Sequence, residues 1–181
     1  MQKAKNCNSG FTLVEVLVAL FIFSLVIGGA VNLLVSSLSA QKISLKIEQV
    51  LREQSNLAEY MGRAFRQATK DLTGNCFAAG NNYGLVNGAT GIRFISRDGF
   101  CEQISLSGAQ IVEQKSTDSN AANFGAQVAL TSNNVTVDSL VFALLGQNQT
   151  DTLQPRVTFF AQINGIQLQT TVSQRNFDVQ Q

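Results

Sequence analysis

The chain has 181 residues, 13 Lys+Arg against 12 Asp+Glu, a formal net charge of +1, and 45% apolar residues. That length and apolar content suit an ordered domain plus an extra element, and the balanced charge excludes a whole-chain polyelectrolyte role on nucleic acid or a membrane surface. There is no His, which removes Ser-His-Asp triads, Cys-His dyads and His-ligated zinc together. Composition therefore points away from an enzyme, and no cofactor or metal is expected.

The apolar residues are unevenly placed. Residues 11–35 read FTLVEVLVALFIFSLVIGGAVNLLV and carry one charge, Glu15. About 20 apolar residues suffice for a helix to span the hydrocarbon core. Lys3 and Lys5 precede the stretch, and basic residues before a first span favour a cytoplasmic N-terminus. A secretory signal peptide has a shorter apolar region, although Ser37-Leu38-Ser39 is a passable cleavage pattern. A plain signal anchor fits the length. Neither explains Glu15, because a carboxylate near mid-span costs about 2.5–3.5 kcal/mol on insertion scales.

Gly10-Phe11-Thr12-Leu13-Val14-Glu15, after a short basic leader and before a long apolar helix, closely resembles the type III signal of the type IV pilin superfamily. That superfamily includes major and minor pilins and the pseudopilins of type II secretion and competence systems. The resemblance implies that a prepilin peptidase cuts between Gly10 and Phe11 and N-methylates Phe11. It implies that residues 1–10 are a cleaved leader. It also implies that Glu15 neutralises the new α-amine of a neighbouring subunit in a filament. Opposite charges in low dielectric attract strongly, and either alone is costly to bury. Glu15 lies roughly 6 Å along the helix from its own Phe11 amine, so an intramolecular pairing is the rival reading. Many major pilins carry a Pro later in this helix. The single Pro here is Pro155, which leaves Gly28-Gly29 as the weak point.

Residues 11–40 thus read as the transmembrane or filament-core segment, and 41–72 as its amphipathic continuation. Ile43, Ile47, Val50, Leu51, Leu57, Ala58, Met61, Ala64, Phe65, Ala68 and Leu72 step mostly by three, four or seven, which makes one apolar stripe. A helix packed on the protein's own sheet is preferred over a coiled coil or a membrane-surface helix, whose polar face is usually basic. Glu48/Arg52 and Glu59/Arg63 are favourably oriented i,i+4 pairs. A helix from Phe11 to Leu72 would be about 93 Å long.

Downstream the period changes to two, and 73–181 reads as a β-rich head. Asn164-Gly165 signals a two-residue hairpin between 157–163 and 166–173. It sets Ile163, Ala161, Phe159 and Val157 opposite Ile166, Leu168, Thr170 and Val172, all on one face. Residues 135–145 form another strand whose two apolar phases require a bulge near Asp138-Ser139. Over 92–113 a meander is expected, with Ser107-Gly108 and Asp98-Gly99 closing its turns. Residues 114–127 and 146–156 read as loops, and Gly80, Gly84 and Gly88 as turn residues. The fold class is α+β: a long N-terminal helix packed on an antiparallel sheet, the plan of the pilin superfamily.

Cys7 falls in the leader. Cys76 and Cys101 remain in the exported head, where an even count reads as a disulfide. Two free thiols or half a metal site are the rival readings, and a two-Cys zinc site without His is poor. Residues 73–181 hold five basic and seven acidic side chains, which disfavours nucleic-acid binding. The expected function is a structural subunit, a minor pilin or pseudopilin of a type IV pilus, type II secretion or competence filament. Its expected partners are prepilin peptidase, other pilin subunits, the inner-membrane assembly platform, and membrane lipid before assembly. Its expected location is the inner membrane, single-pass with the head outside, and then the pilus or periplasmic pseudopilus. The alternative is a signal-anchored adhesin or binding module that never polymerises.

Overall fold

A computed structural model describes residues 11–147 and 153–175. The chain is α+β and divides at Ile47/Glu48 into two units. Helix α1, Leu13–Gln67, runs through the boundary. In the first unit every helical residue is exposed. α1 is the one helix among the described residues that is long and apolar enough to cross a membrane.

The second unit holds the rest of α1 and eight strands: β1 Gly84–Val86, β2 Gly91–Ile95, β3 Cys101–Ser107, β4 Gln110–Lys115, β5 Val128–Ala129, β6 Val137–Leu145, β7 Arg156–Ile163 and β8 Ile166–Ser173. They form two antiparallel sheets among the described residues, of order β1-β2-β3-β4-β5 and β6-β7-β8. The sequence reading had one sheet. Period-two alternation marks strands but does not say which strands share a ladder.

The α1 side chains that meet this unit's core are Val50, Leu57, Met61 and Phe65, with Gln54 among them. Their spacing of three and four is the predicted stripe. Its ends depart from expectation: Ile43, Ile47 and Leu51 are exposed, and Leu72 is 80% exposed. The helix stops at Gln67 rather than continuing to Leu72, because Thr69 bridges to Ile95 of β2 and Asp71 organises a loop of its own. Phe65, fully buried, is the hub of the core. Its ring meets Tyr83, Phe94, Phe142 and Phe159 edge-on, at centroid separations from 5.4 to 6.3 Å, the geometry that the ring quadrupole favours.

The last carbonyls of the helix are satisfied from far along the chain. Tyr83 Oη donates to Phe65 O at 2.6 Å. The backbone N–H of Arg175 donates to Arg66 O, and Gln174 Nε2 donates to Ala68 O. These distant donors add to the local Ala68 N–H, which donates to Phe65 O at 3.3 Å, in satisfying the helix end.

The β7–β8 hairpin has the predicted register, with Ile163 opposite Ile166 and Val157 opposite Val172. Asn164 and Gly165 both have positive φ, 49° and 78°, as a type I′ turn requires. The expected β6 bulge falls between Val137 and Ser139, so Val137, Leu140 and Phe142 are all buried.

The meander differs from expectation by one residue. Ser107 pairs with Gln110, so the turn is Gly108-Ala109, not Ser107-Gly108. Gly108 takes φ 60° at the first central position, where a type II′ turn needs glycine. The shift also separates Glu102 from Glu113 and sets Glu102 against Lys115, replacing like charges with an ion pair at 2.9 Å. Asp98-Gly99 does lie in the β2–β3 connection. The loop is longer than two residues, however, and Ile95 pairs with Cys101 instead of Glu102. Strand β4 reaches Lys115 and β5 lies at 128–129, so the predicted 114–127 loop is shorter. Gly84 starts β1 and is not a turn residue, whereas Gly80 and Gly88 have positive φ. The loop expected at 146–156 lies partly outside the described residues.

Candidate functional site

The N-terminal segment is built from Thr12 upward. Thr12 precedes the first helical residue, and its Oγ1 accepts from the Glu15 N–H at 3.3 Å. In return Glu15 Oε2 accepts from the Thr12 N–H at 3.4 Å and from its hydroxyl at 3.5 Å. This is the reciprocal S/T-x-x-E capping box, here loosely closed, and it satisfies N–H groups that a helix start otherwise leaves open. The spacing was legible in Thr12-Leu13-Val14-Glu15, and the sequence reading missed it by treating Glu15 only as a buried charge. Among the described residues the carboxylate's partner is thus Thr12. Gly10 and Cys7 lie outside the described residues. Phe11 precedes the helix and is 83% exposed.

Glu15 is the charged member of an apolar depression completed by Phe11, Val16, Ala19, Leu20 and Phe23, with a volume of about 430 Å³. Beyond it, Phe21, Ile22, Leu25, Val26, Leu33 and Leu34 are more than half exposed. A continuous apolar surface of this kind requires lipid or other apolar helices around it.

Two polar arrangements stand apart in the second unit. The Asp71 side chain is fully buried. Its Oδ1 accepts from the N–H and hydroxyl of Thr73 and the N–H of Gly74, at 2.8–2.9 Å. Its Oδ2 accepts from the N–H groups of Cys76 and Phe77, at 2.9 and 3.1 Å. Burial alone would push this carboxyl up, but the backbone donors and the Thr73 hydroxyl outweigh it and hold it below the usual aspartate value. Asp71-Leu72-Thr73-Gly74 carries a short-range turn signal that the helical stripe obscured. The second arrangement starts at Tyr60, whose hydroxyl donates to Glu113, 2.7 Å from both carboxylate oxygens. Burial and this carboxylate push the tyrosine above its ordinary value. Burial, opposed by Tyr60, also raises Glu113.

Cys76 and Cys101 form a disulfide with a Cα–Cα separation of 5.7 Å. Both are buried, with Ile95, against Phe77 and Phe124. The bridge ties the Asp71 loop to β3 and covers the face of the five-stranded sheet turned away from the main core. Among the described residues no group of three or more acidic or cysteine side chains is arranged to hold a metal ion.

No curated protein and no solved structure matches the chain. A family model described as the prokaryotic N-terminal methylation motif matches residues 5–31. The match contains Lys5, Gly10-Phe11, Thr12, Glu15 and the first half of the exposed apolar helix. The chain therefore carries at its N-terminus the methylation motif that is the type IV pilin and pseudopilin signal.

Proposed function

We propose that the protein is a minor pilin or pseudopilin, a structural subunit of a type IV pilus, type II secretion or competence filament. The observation that carries this reading is the coincidence of the methylation motif over residues 5–31 with a helix whose first half leaves its apolar side chains exposed among the described residues. Prepilin peptidase cleaves between Gly10 and Phe11 on the cytoplasmic face and methylates the Phe11 amine. The segment 11–40 holds the subunit in the inner membrane, head outside, until the assembly platform moves it into a bundle of like helices. Van der Waals packing drives that transfer, because lipid tails are as apolar as the helices they leave.

Within the bundle Glu15 accepts the charged amine of a neighbouring subunit. The capping box makes this exchange feasible: two long hydrogen bonds to Thr12 are given up for one charge-assisted contact in low dielectric. The test is the mature N-terminus. Mass spectrometry of the protein from a host with active prepilin peptidase should find N-methyl-Phe at position 11. An intact leader, or cleavage near Ala40, would instead identify a signal-anchored module that does not polymerise.

A further inference from the structure

The second unit contains a cavity of about 460 Å³ that the filament reading does not use. Its apolar walls are Phe77, Leu85, Val86 and Leu144. Two of these lie on β1, an outer strand of the five-stranded sheet, and Leu144 lies on β6, an outer strand of the other. The cavity thus opens between two sheet edges, and among the described strands none pairs with the far side of β1. A free edge beside apolar pockets is the arrangement in which an extended peptide adds main-chain hydrogen bonds to side-chain burial.

Beside the amide of Asn81, Arg93 and Gln147 bring donors to the cavity wall. Arg93 lines it and is held in place: its Nε donates to Gln103 Oε1 at 2.8 Å, and its guanidinium lies 5.4 Å from the Phe124 ring centroid. No ion pair involves Arg93 among the described residues, so its charge is uncompensated at the wall. Gln147 also lines the cavity. Its Oε1 accepts from the Tyr83 N–H at 3.2 Å, while its Nε2 is buried and has no partner among the described residues. A buried amide nitrogen left unbonded is costly, and an acceptor brought by a ligand would relieve it. Guanidinium and amide N–H groups together recognise a carboxylate.

We propose that this cavity binds the extended C-terminal end of a partner polypeptide, its terminal carboxylate on Arg93 and Gln147 and its last apolar side chain between Phe77 and Leu144. The inference goes beyond filament assembly and does not depend on it. The experiment uses the full-length protein in detergent and a fluorescein-labelled peptide, Gly-Gly-Ala-Val-Phe, read by anisotropy. The free-acid peptide should bind saturably, and its C-terminal amide should bind at least about tenfold more weakly. Arg93→Gln should lose about tenfold or more, and Arg93→Lys should recover part of that loss. Ala78→Trp places a bulky ring at an exposed wall and should block binding while circular dichroism and the thermal midpoint stay unchanged. The proposal is overturned if acid and amide bind alike, if Arg93→Gln or a folded Ala78→Trp binds as the parent does, or if no binding is seen at millimolar peptide. It is equally overturned if 3-phenylpropionate displaces the peptide at equal concentration, because the ligand would then be a free small carboxylate.

Discussion

Replacing Asp71 by Asn is a one-atom test of how the head holds its helix-to-sheet connection. The parent carboxylate is fully buried and accepts from Thr73, Gly74, Cys76 and Phe77. An amide oxygen can keep the Thr73 and Gly74 donors, but its NH₂ then faces the N–H groups of Cys76 and Phe77. The buried Cys76 N–H and the part-buried Phe77 N–H lose their acceptor, at about 1–3 kcal/mol for the first and the low end of that range for the second. The expected destabilisation is about 2–4 kcal/mol, on the order of 10 °C in the thermal midpoint for a unit of this size. Tyrosine fluorescence can follow the transition, because the chain has no Trp.

The pH dependence supplies the second readout. The folded-state pKa of Asp71 is lowered, so its contribution is present above the unfolded aspartate value near 4 and is lost as pH falls through the folded value. Asp71→Asn should remove that acid-side slope and leave the neutral-pH loss. A loss below about 0.5 kcal/mol, or an acid limb the same as the parent's, would refute the role assigned to this carboxylate.

Replacing both Cys76 and Cys101 by Ser opens a loop with a sequence separation of 25. The chain-entropy model puts the cost at about 3.5 kcal/mol, and a urea midpoint within error of the parent's would count against it. Both tyrosines of the chain, Tyr60 and Tyr83, are shifted upward, each first by burial and Tyr60 also by Glu113. Tyrosinate absorbance should therefore stay low as pH passes the ordinary value near 10 and rise only at higher pH or on alkaline unfolding. An ordinary titration in the folded protein contradicts the burial of Tyr83 and the Tyr60 contact with Glu113. Glu15→Ala and Glu15→Lys should leave export intact and reduce filament incorporation about tenfold if the charge pair contributes about 1.4 kcal/mol. Normal incorporation of both variants removes the charge-pairing role.

What was legible in the sequence follows from how local each determinant is. The methylation motif is carried by a few contiguous residues, and the apolar helix by an unbroken run. The β7–β8 hairpin was readable because Asn164-Gly165 sets both turn type and register. The Glu102/Glu113 opposition was a warning that the Ser107-Gly108 turn was one residue out. The Asp71 loop competed with a helical stripe that Leu72 appeared to extend, and five hydrogen bonds to one carboxylate outweigh the burial that Leu72 does not achieve. The division into two sheets, and the cavity between β1 and β6, depend on contacts between segments roughly sixty residues apart. Alternation of side chains carries no information about them.

The far-off donors at the end of α1 bear on when the head can mature. The Arg66 and Ala68 carbonyls are answered by Arg175 and Gln174, and Tyr83 joins the local Ala68 N–H on the Phe65 carbonyl; Gln174 stands 106 positions beyond Ala68. More than a hundred further residues must therefore be added after Ala68 before the clasp can close. Chains released before residue 174 will present an open, protease-sensitive helix end, so cellular proteolysis can tell them at that single joint from chains that have closed it.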